Sequence, residues 1–177
     1  MAEFNKSEMV VFNTFQLYRH DRLDFLKKSF QKAQSEGYLL GAKLVRGAYM
    51  EKERDRAASM GYVSPIQSSK SDTDRDFDLG VQFCLHNLNK LHLFIGTHNE
   101  KSCLDAIAEM EKFGISKQDS RVHFTQLYGM SDNISFNLSK EGYKVSKYLP
   151  YGPVGDVIPY LMRRAQENTS VAGQTGR

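Results

Sequence analysis

The chain predicts an α/β fold of repeating strand–helix units around a parallel sheet, and three observations point there. Short β-branched or aromatic runs alternate with amphipathic stretches from one end to the other. Each run gives way to a turn of polar or small residues. The composition is that of an ordinary globular chain, 40% hydrophobic and 25% charged over 177 residues.

Five units can be drawn in order. Val10-Val11-Phe12 is a β-branched and aromatic run leading to an amphipathic helix from Asp24 through Ala33, closed by Gly37. Ala42-Lys43-Leu44-Val45 follows, and its connection to the next long helix, Phe77 to Leu88, is an outlier in length. That excursion holds a helix from Glu51 to Met60 and then the polar stretch Ser64 to Thr73, and long loops at strand ends are often functional. Leu93-Phe94-Ile95 leads to a helix from Cys103 to Phe113, whose Leu104, Ile107, Ala108 and Met110 form an apolar stripe before Gly114. Val122-His123-Phe124 leads to a weaker helix after Met130. Val145 to Tyr148 is the last strand, and the Gly/Pro-punctuated tract Pro150 to Gly155 separates it from a helix beginning near Asp156.

The turns after these strands are Asn13-Thr14, Arg46 to Tyr49, Thr97-His98-Asn99, Gln126 to Gly129, and Tyr148. In a parallel sheet such turns all open on the C-terminal edge of the strands, where α/β enzymes place their sites. Each has an ordinary structural explanation taken alone, His98 as a capped turn residue and Gln126 as a satisfied polar group. Their convergence on one edge points to a site. The last helix adds Tyr160, Arg163 and Arg164, and neighbouring guanidiniums about 100° apart form an anion clamp. The same pair is also compatible with an exposed helical face.

A net charge of +3 is spread along the chain without a basic block, which argues against nucleic acid as the main partner. No apolar run approaches the roughly 18 residues of a membrane span, and the N-terminus lacks the pattern of a signal peptide. Cys84 and Cys103 fall in helical segments with no metal-ligand spacing, as expected of buried thiols.

Gly41-Ala-Lys-Leu-Val-Arg-Gly-Ala-Tyr49, Thr97-His-Asn99, Phe124-Thr-Gln-Leu-Tyr-Gly-Met130 and the tract from Tyr148 to Asn168 resemble, in the same order, segments of the C-terminal part of the proline dehydrogenase barrel. The resemblance runs from about Val10 to Asn168. It implies a (βα)8 TIM-type barrel of which this chain covers roughly the last five βα units. It also implies a flavoenzyme that oxidises L-proline to Δ1-pyrroline-5-carboxylate, with FAD as cofactor and a quinone as electron acceptor.

Residue by residue, the resemblance assigns the proline carboxylate to Arg163 and Arg164 and the pocket wall to Tyr148, Tyr160 and Leu127. Lys43 matches a basic residue near the flavin N5 atom, where many bacterial members carry Arg. It is the expected catalytic residue, a cation stabilising the charge of the reduced flavin. Gly47 and Ala48 match positions where backbone approaches the cofactor. Asn13, Arg46, Tyr49, Thr97, His98, Asn99, Gln126 and Glu167 match or adjoin cofactor contacts, with Asn13 standing where others carry Gln. Lys70 and Thr73 resemble adenosine-side contacts. No metal is implied.

A (βα)8 barrel needs roughly 250 residues, so the first three units are expected to be missing. The chain is then read as one C-terminal barrel segment over residues 1–177 with flexible ends at 1–9 and 169–177. It is expected to partner the absent N-terminal half or to form homo-oligomers through unpaired edges near Val10 and Val145. Expected placement is the bacterial cytoplasm or the mitochondrial matrix side, with at most peripheral membrane contact. Hydroxyproline dehydrogenase, a non-catalytic binding module and an unrelated phosphate-binding barrel are the alternatives.

Overall fold

The computed structural model describes the backbone of residues 1–172 and the side chains of residues 1–164. The side chain of Glu167, and residues 173–177 of the end expected to be flexible, lie outside the described residues. The chain divides into two units, Met1–Lys147 and Tyr148–Arg177.

Five strands are present: β1 (Phe12–Gln16), β2 (Leu40–Val45), β3 (Leu91–Gly96), β4 (Val122–Leu127) and β5 (Val145–Tyr148). The helices between and after them are α1 (Arg22–Glu36), α2 (Met50–Met60), α3 (Lys70–His86), α4 (Glu100–Lys112), α5 (Asp132–Lys140) and α6 (Val154–Ala172). Each strand is followed by a helix, and β2 by two. The sheet order is β1-β2-β3-β4-β5, with the first four strands paired in parallel. Strands added one after another on the same edge, with no reversal of order, build a sector of a barrel; a doubly wound sheet would reverse.

Register explains which side of the sheet is packed. Asn13, Ala42, Leu93 and Val122 are neighbours across the strands, as are Phe15, Leu44, Ile95 and Phe124. Side chains alternate with a period of two, so these rows share one face. That face is the core: Phe15, Leu44, Leu93 and Ile95 are fully buried, joined by Leu26 and Phe30 of α1, Phe77 and Val81 of α3, and Ala106 and Met110 of α4. Cys84 and Cys103 are buried free thiols within it, and burial raises both, Cys103 to about 11 and Cys84 further still. The opposite face carries Thr14, Lys43, Phe94 and His123 in one row, none of them fully buried. An aromatic run, Phe12 edge-on to Phe94 at 4.6 Å and Phe94 tilted against His123 at 4.9 Å, lines this open face.

Two elements start elsewhere than the sequence pattern implies. β1 begins at Phe12, because Val10 and Val11 are exposed and the strand uses the alternating Phe12–Gln16 instead. Asn13 and Thr14 therefore lie inside the strand, not in its turn. α3 starts at Lys70, seven residues before Phe77, because Ser69 caps it: the Ser69 hydroxyl accepts from the Asp72 N–H at 3.0 Å and donates to the Asp72 carboxylate at 2.6 Å.

The stretch at 1–9 is organised around Asn5, which is fully buried. Its amide donates to the carbonyls of Val11 (2.7 Å) and Leu39 (3.2 Å), and its oxygen accepts from the N–H groups of Val10 (3.1 Å) and Val11 (2.8 Å). One side chain thus substitutes for sheet pairing just ahead of β1.

Candidate functional site

Lys43 is the central polar group of the open face. It leaves β2 halfway along, between the buried Ala42 and Leu44, so the strand's alternation turns it away from the helices. Burial pulls its ammonium below the ordinary lysine value. Beside it, in β3, Gly96 presents no side chain. A Cβ there would stand 2.8 Å from the Leu44 carbonyl and 3.5 Å from the Lys43 Cε. The result is a partly desolvated cation next to a bare stretch of backbone.

The β2 turn follows directly. Gly47 has φ of 123°, and a Cβ would fall 2.3 Å from the Tyr18 ring, so only glycine fits between the turn and that buried tyrosine. Tyr49 serves as N-cap of α2. Thr14, Gln16, Tyr18 and Tyr49, with Arg19 and Glu53, line a polar cavity of about 270 Å³ at this end of β1.

The remaining turns divide by what their side chains already hold. Thr97 is buried, and its hydroxyl accepts from Arg46 Nη1 at 3.0 Å and from the Asn99 N–H at 3.1 Å. Asn99 caps α4 by accepting from the Ser102 N–H at 3.0 Å. His98 stands at the rim, its Nδ1 2.8 Å from the hydroxyl of Ser131, a residue in the left-handed region with φ of 51°. Desolvation and then the Lys147 ammonium lower the His98 pKa, favouring neutral imidazole. Gln126 is buried, with its amide donating to the Thr97 carbonyl at 3.2 Å and accepting from Ser135 at 2.9 Å. Leu127 ends β4 as a buried apolar residue. Ala48 is half-buried in the β2 turn. Lys70 and Thr73 lie in the first turn of α3, where the Lys70 ammonium binds Asp74 at 2.6 Å and Thr73 is buried.

Within the C-terminal unit, the Tyr148 and Tyr160 rings lie 6.3 Å apart, edge to face, and the Arg164 guanidinium sits 5.0 Å over the Tyr160 ring. Arg163 is its neighbour on α6. Cation–π stacking of this kind fixes the plane of a guanidinium while leaving its edge to recognise a carboxylate.

The structure thus gathers Gly47, Ala48, Tyr49, Thr97, His98, Asn99, Gln126 and Leu127 along the C-terminal edge of the first unit, with Lys43 on the open face of β2 below them. It separates Asn13 from Lys43, because Asn13 shares the helix-covered face with Ala42. Gln16, two residues beyond Thr14, is on the Lys43 face, and sequence reading missed it. A strict period-two reading of Phe12 to Leu17, with Phe15 and Leu17 as core, carries the signal.

Comparison with known proteins bears on the chain as a whole. A family model described as proline dehydrogenase matches residues 1–177. The chain is 43% identical to human mitochondrial proline dehydrogenase 1 over 99% of its own length and 30% of that protein's. It is also 43% identical to hydroxyproline dehydrogenase of Xenopus laevis, over 97% and 38% of the two chains. Among solved structures, proline utilization A from Bdellovibrio bacteriovorus inactivated by N-propargylglycine superposes with a TM-score of 0.82 at 29% identity, covering 88% of this chain and 16% of the other. The chain therefore spans about a third of the relatives it matches. With its motifs in family order over its whole length, on a consecutive parallel sheet of βα units, this chain belongs to the proline dehydrogenase family.

Proposed function

We propose that this chain supplies the cofactor face and the carboxylate clamp for FAD-dependent oxidation of L-proline to Δ1-pyrroline-5-carboxylate. The observation that carries the reading is Lys43, a half-buried cation at the open face of β2 beside the bare backbone of Gly96. A flat, electron-accepting ring system fits such a surface, since a desolvated ammonium stabilises negative charge far better than a solvated one. When bound, FAD would supply the hydride acceptor, with a quinone as the onward electron acceptor. The chain's own residues bind and orient: Lys43 holds charge near the flavin, and Gly47 and Ala48 admit close backbone approach. Arg163 and Arg164 hold the substrate carboxylate, while Tyr148, Tyr160 and Leu127 exclude water around the ring.

The amide expected at the first strand is better supplied by Gln16 than by Asn13, because Gln16 shares the face of Lys43. Thr97, Asn99 and Gln126 contribute through backbone and fixed turns, their side chains being engaged within the protein. The matched human relative is named mitochondrial, which supports a mitochondrial place of action in a eukaryote. No helix among the described residues is long and apolar enough to cross a membrane.

Hydroxyproline is the second reading, favoured by the equal identity to the Xenopus enzyme. Turnover of the two imino acids compared side by side separates them.

The test is the visible spectrum of the chain after incubation with FAD and desalting, before and after anaerobic proline, in parent and in Arg164→Met. Retained flavin that bleaches with proline in the parent, and needs at least tenfold more proline in the variant at equal flavin content, is the expected result. Loss of flavin in Arg164→Met with unchanged proline dependence would remove the carboxylate assignment.

A further inference from the structure

Arg46 has the residue type and position of a cofactor ligand, next to Gly47, yet its guanidinium is turned into the protein. Its side chain is only 21% exposed. Nε donates to Asp74 Oδ1 at 2.6 Å, Nη1 to Thr97 Oγ1 at 3.0 Å and Nη2 to Ser102 Oγ at 2.8 Å. The flat face of the guanidinium lies 4.3 Å from the centre of the Phe77 ring. Every nitrogen of the fork is thus used, and the partners come from three places: α3, the β3 turn and the first turn of α4.

These partners are themselves connected. Thr97 Oγ1 accepts from the Asn99 N–H, Asn99 caps α4 through the Ser102 N–H, and Ser102 Oγ donates to Asp78 Oδ1 at 3.1 Å. One side chain at the start of the β2 turn therefore sets the position of the whole β3 turn from Thr97 to Ser102. These are the two turns that flank the bare backbone of Gly96. Lysine could pair with Asp74 but could not donate in three fixed, coplanar directions.

We propose that Arg46 is a positioning residue, which locks the β2 and β3 turns at the spacing the cofactor requires and does not itself bind the cofactor. The functional part of this inference rests on the flavin reading above; the coupling of the two turns does not.

Amide hydrogen exchange on the FAD-free chain, with FAD affinity from quenching of flavin fluorescence, separates the two parts. The variants are Arg46→Lys and the milder Ser102→Ala, which deletes one acceptor and spares the guanidinium. In both, exchange should quicken at Tyr18, whose N–H donates to the Arg46 carbonyl, and at Asn99 and Ser102 in the β3 turn, about tenfold in Arg46→Lys, while amides of Leu44, Leu93 and Phe124 keep their protection. FAD affinity of the folded protein should fall by about the same factor in Arg46→Lys, and by less in Ser102→Ala. Unchanged exchange at both turns in Arg46→Lys would overturn the proposal, and with a drop in FAD affinity it would make Arg46 a direct ligand. Faster exchange with unaltered FAD affinity would make Arg46 purely structural and equally overturn it. A parent chain that binds no FAD would count against the flavin reading, while the exchange data would still decide whether Arg46 couples the turns.

Discussion

Gly96→Ala probes the floor of the open face directly. The added Cβ would meet the Leu44 carbonyl oxygen at 2.8 Å and Val45 Cγ1 at 2.8 Å. The first contact is about 0.5 Å inside the roughly 3.3 Å at which carbon and a carbonyl oxygen meet in sheets. That oxygen is backbone of β2, locked beside β3 by the register Leu40↔Leu91 through Leu44↔Ile95, so it cannot retreat alone. Relief requires the two strands to part locally or β3 to end early. Overpacking of this kind costs about 1–3 kcal/mol. Gly96 does not have a positive φ, so alanine adds no backbone strain there and recovers about 0.4–1 kcal/mol by restricting the unfolded chain. The net expectation is a loss of between about 0 and 2.6 kcal/mol, centred on about 1.3 kcal/mol. With a urea slope of about 2 kcal/mol per molar, the midpoint should fall by about 0.65 M at that centre, at unchanged slope. Lys43 Cε at 3.5 Å is an ordinary contact, so the ammonium keeps its place. Any fall in flavin affinity then reports the methyl together with the local parting of β2 and β3 that it forces. A midpoint above the parent's would show that β2 and β3 leave room at Gly96, and the two 2.8 Å contacts would not be a constraint.

Two further outcomes follow from the same structure. Asn5→Ala removes the partners of two N–H groups and a carbonyl ahead of β1 and of the Leu39 carbonyl ahead of β2, and should cost about 2–3 kcal/mol in urea unfolding, with faster exchange at Val11; a loss under about 0.5 kcal/mol would mean that the segment is held by other contacts. Stability should also fall on mild acidification. His92, His98 and His123 all have pKa values lowered chiefly by desolvation, so below about pH 6.5 the unfolded chain binds protons that the folded chain refuses. The loss begins at the ordinary histidine value and levels off once pH passes below the folded values. Asp119, held below the usual carboxylate range by hydrogen bonds from Arg121, contributes stability that persists through this window and is lost only at lower pH. Urea midpoints that stay flat from pH 7.5 to 5.5 would contradict the histidine argument.

What could be read from the sequence was what local pattern controls. The five strand–helix units, their order and the turns at Gly47 and Thr97–Asn99 all rest on periodicity and turn chemistry, and the structure has them in the expected order. β1 was misplaced because Val10-Val11 has the apolar, β-branched look of a strand but lies exposed. That displacement set Asn13 forward as a turn residue and hid Gln16, since a strand ended at Phe12 leaves the alternation from Asn13 to Gln16 unread. The early start of α3 was legible in Ser69 and Asp72, spaced as a capping pair. Asn5 carried no such signal, because its meaning lies in carbonyls at positions 11 and 39 that only the fold brings to it.

Arg46 shows most clearly where local pattern stops. Its partners are 28, 51 and 56 residues further along the chain, so no window around Gly47 contains them. A sequence motif reports that an arginine stands beside a cofactor turn; whether its fork points outward to a ligand or inward to Asp74, Thr97 and Ser102 is decided by the packing of α3 and α4. Lys43 is the converse case. Its direction is fixed by the strand's alternation alone, with Ala42 and Leu44 buried on either side, so its place on the open face follows from β2 itself. The division of labour between these two cations, one presented to the open face and one spent on holding the frame, is therefore set by strand period for the first and by tertiary partners for the second.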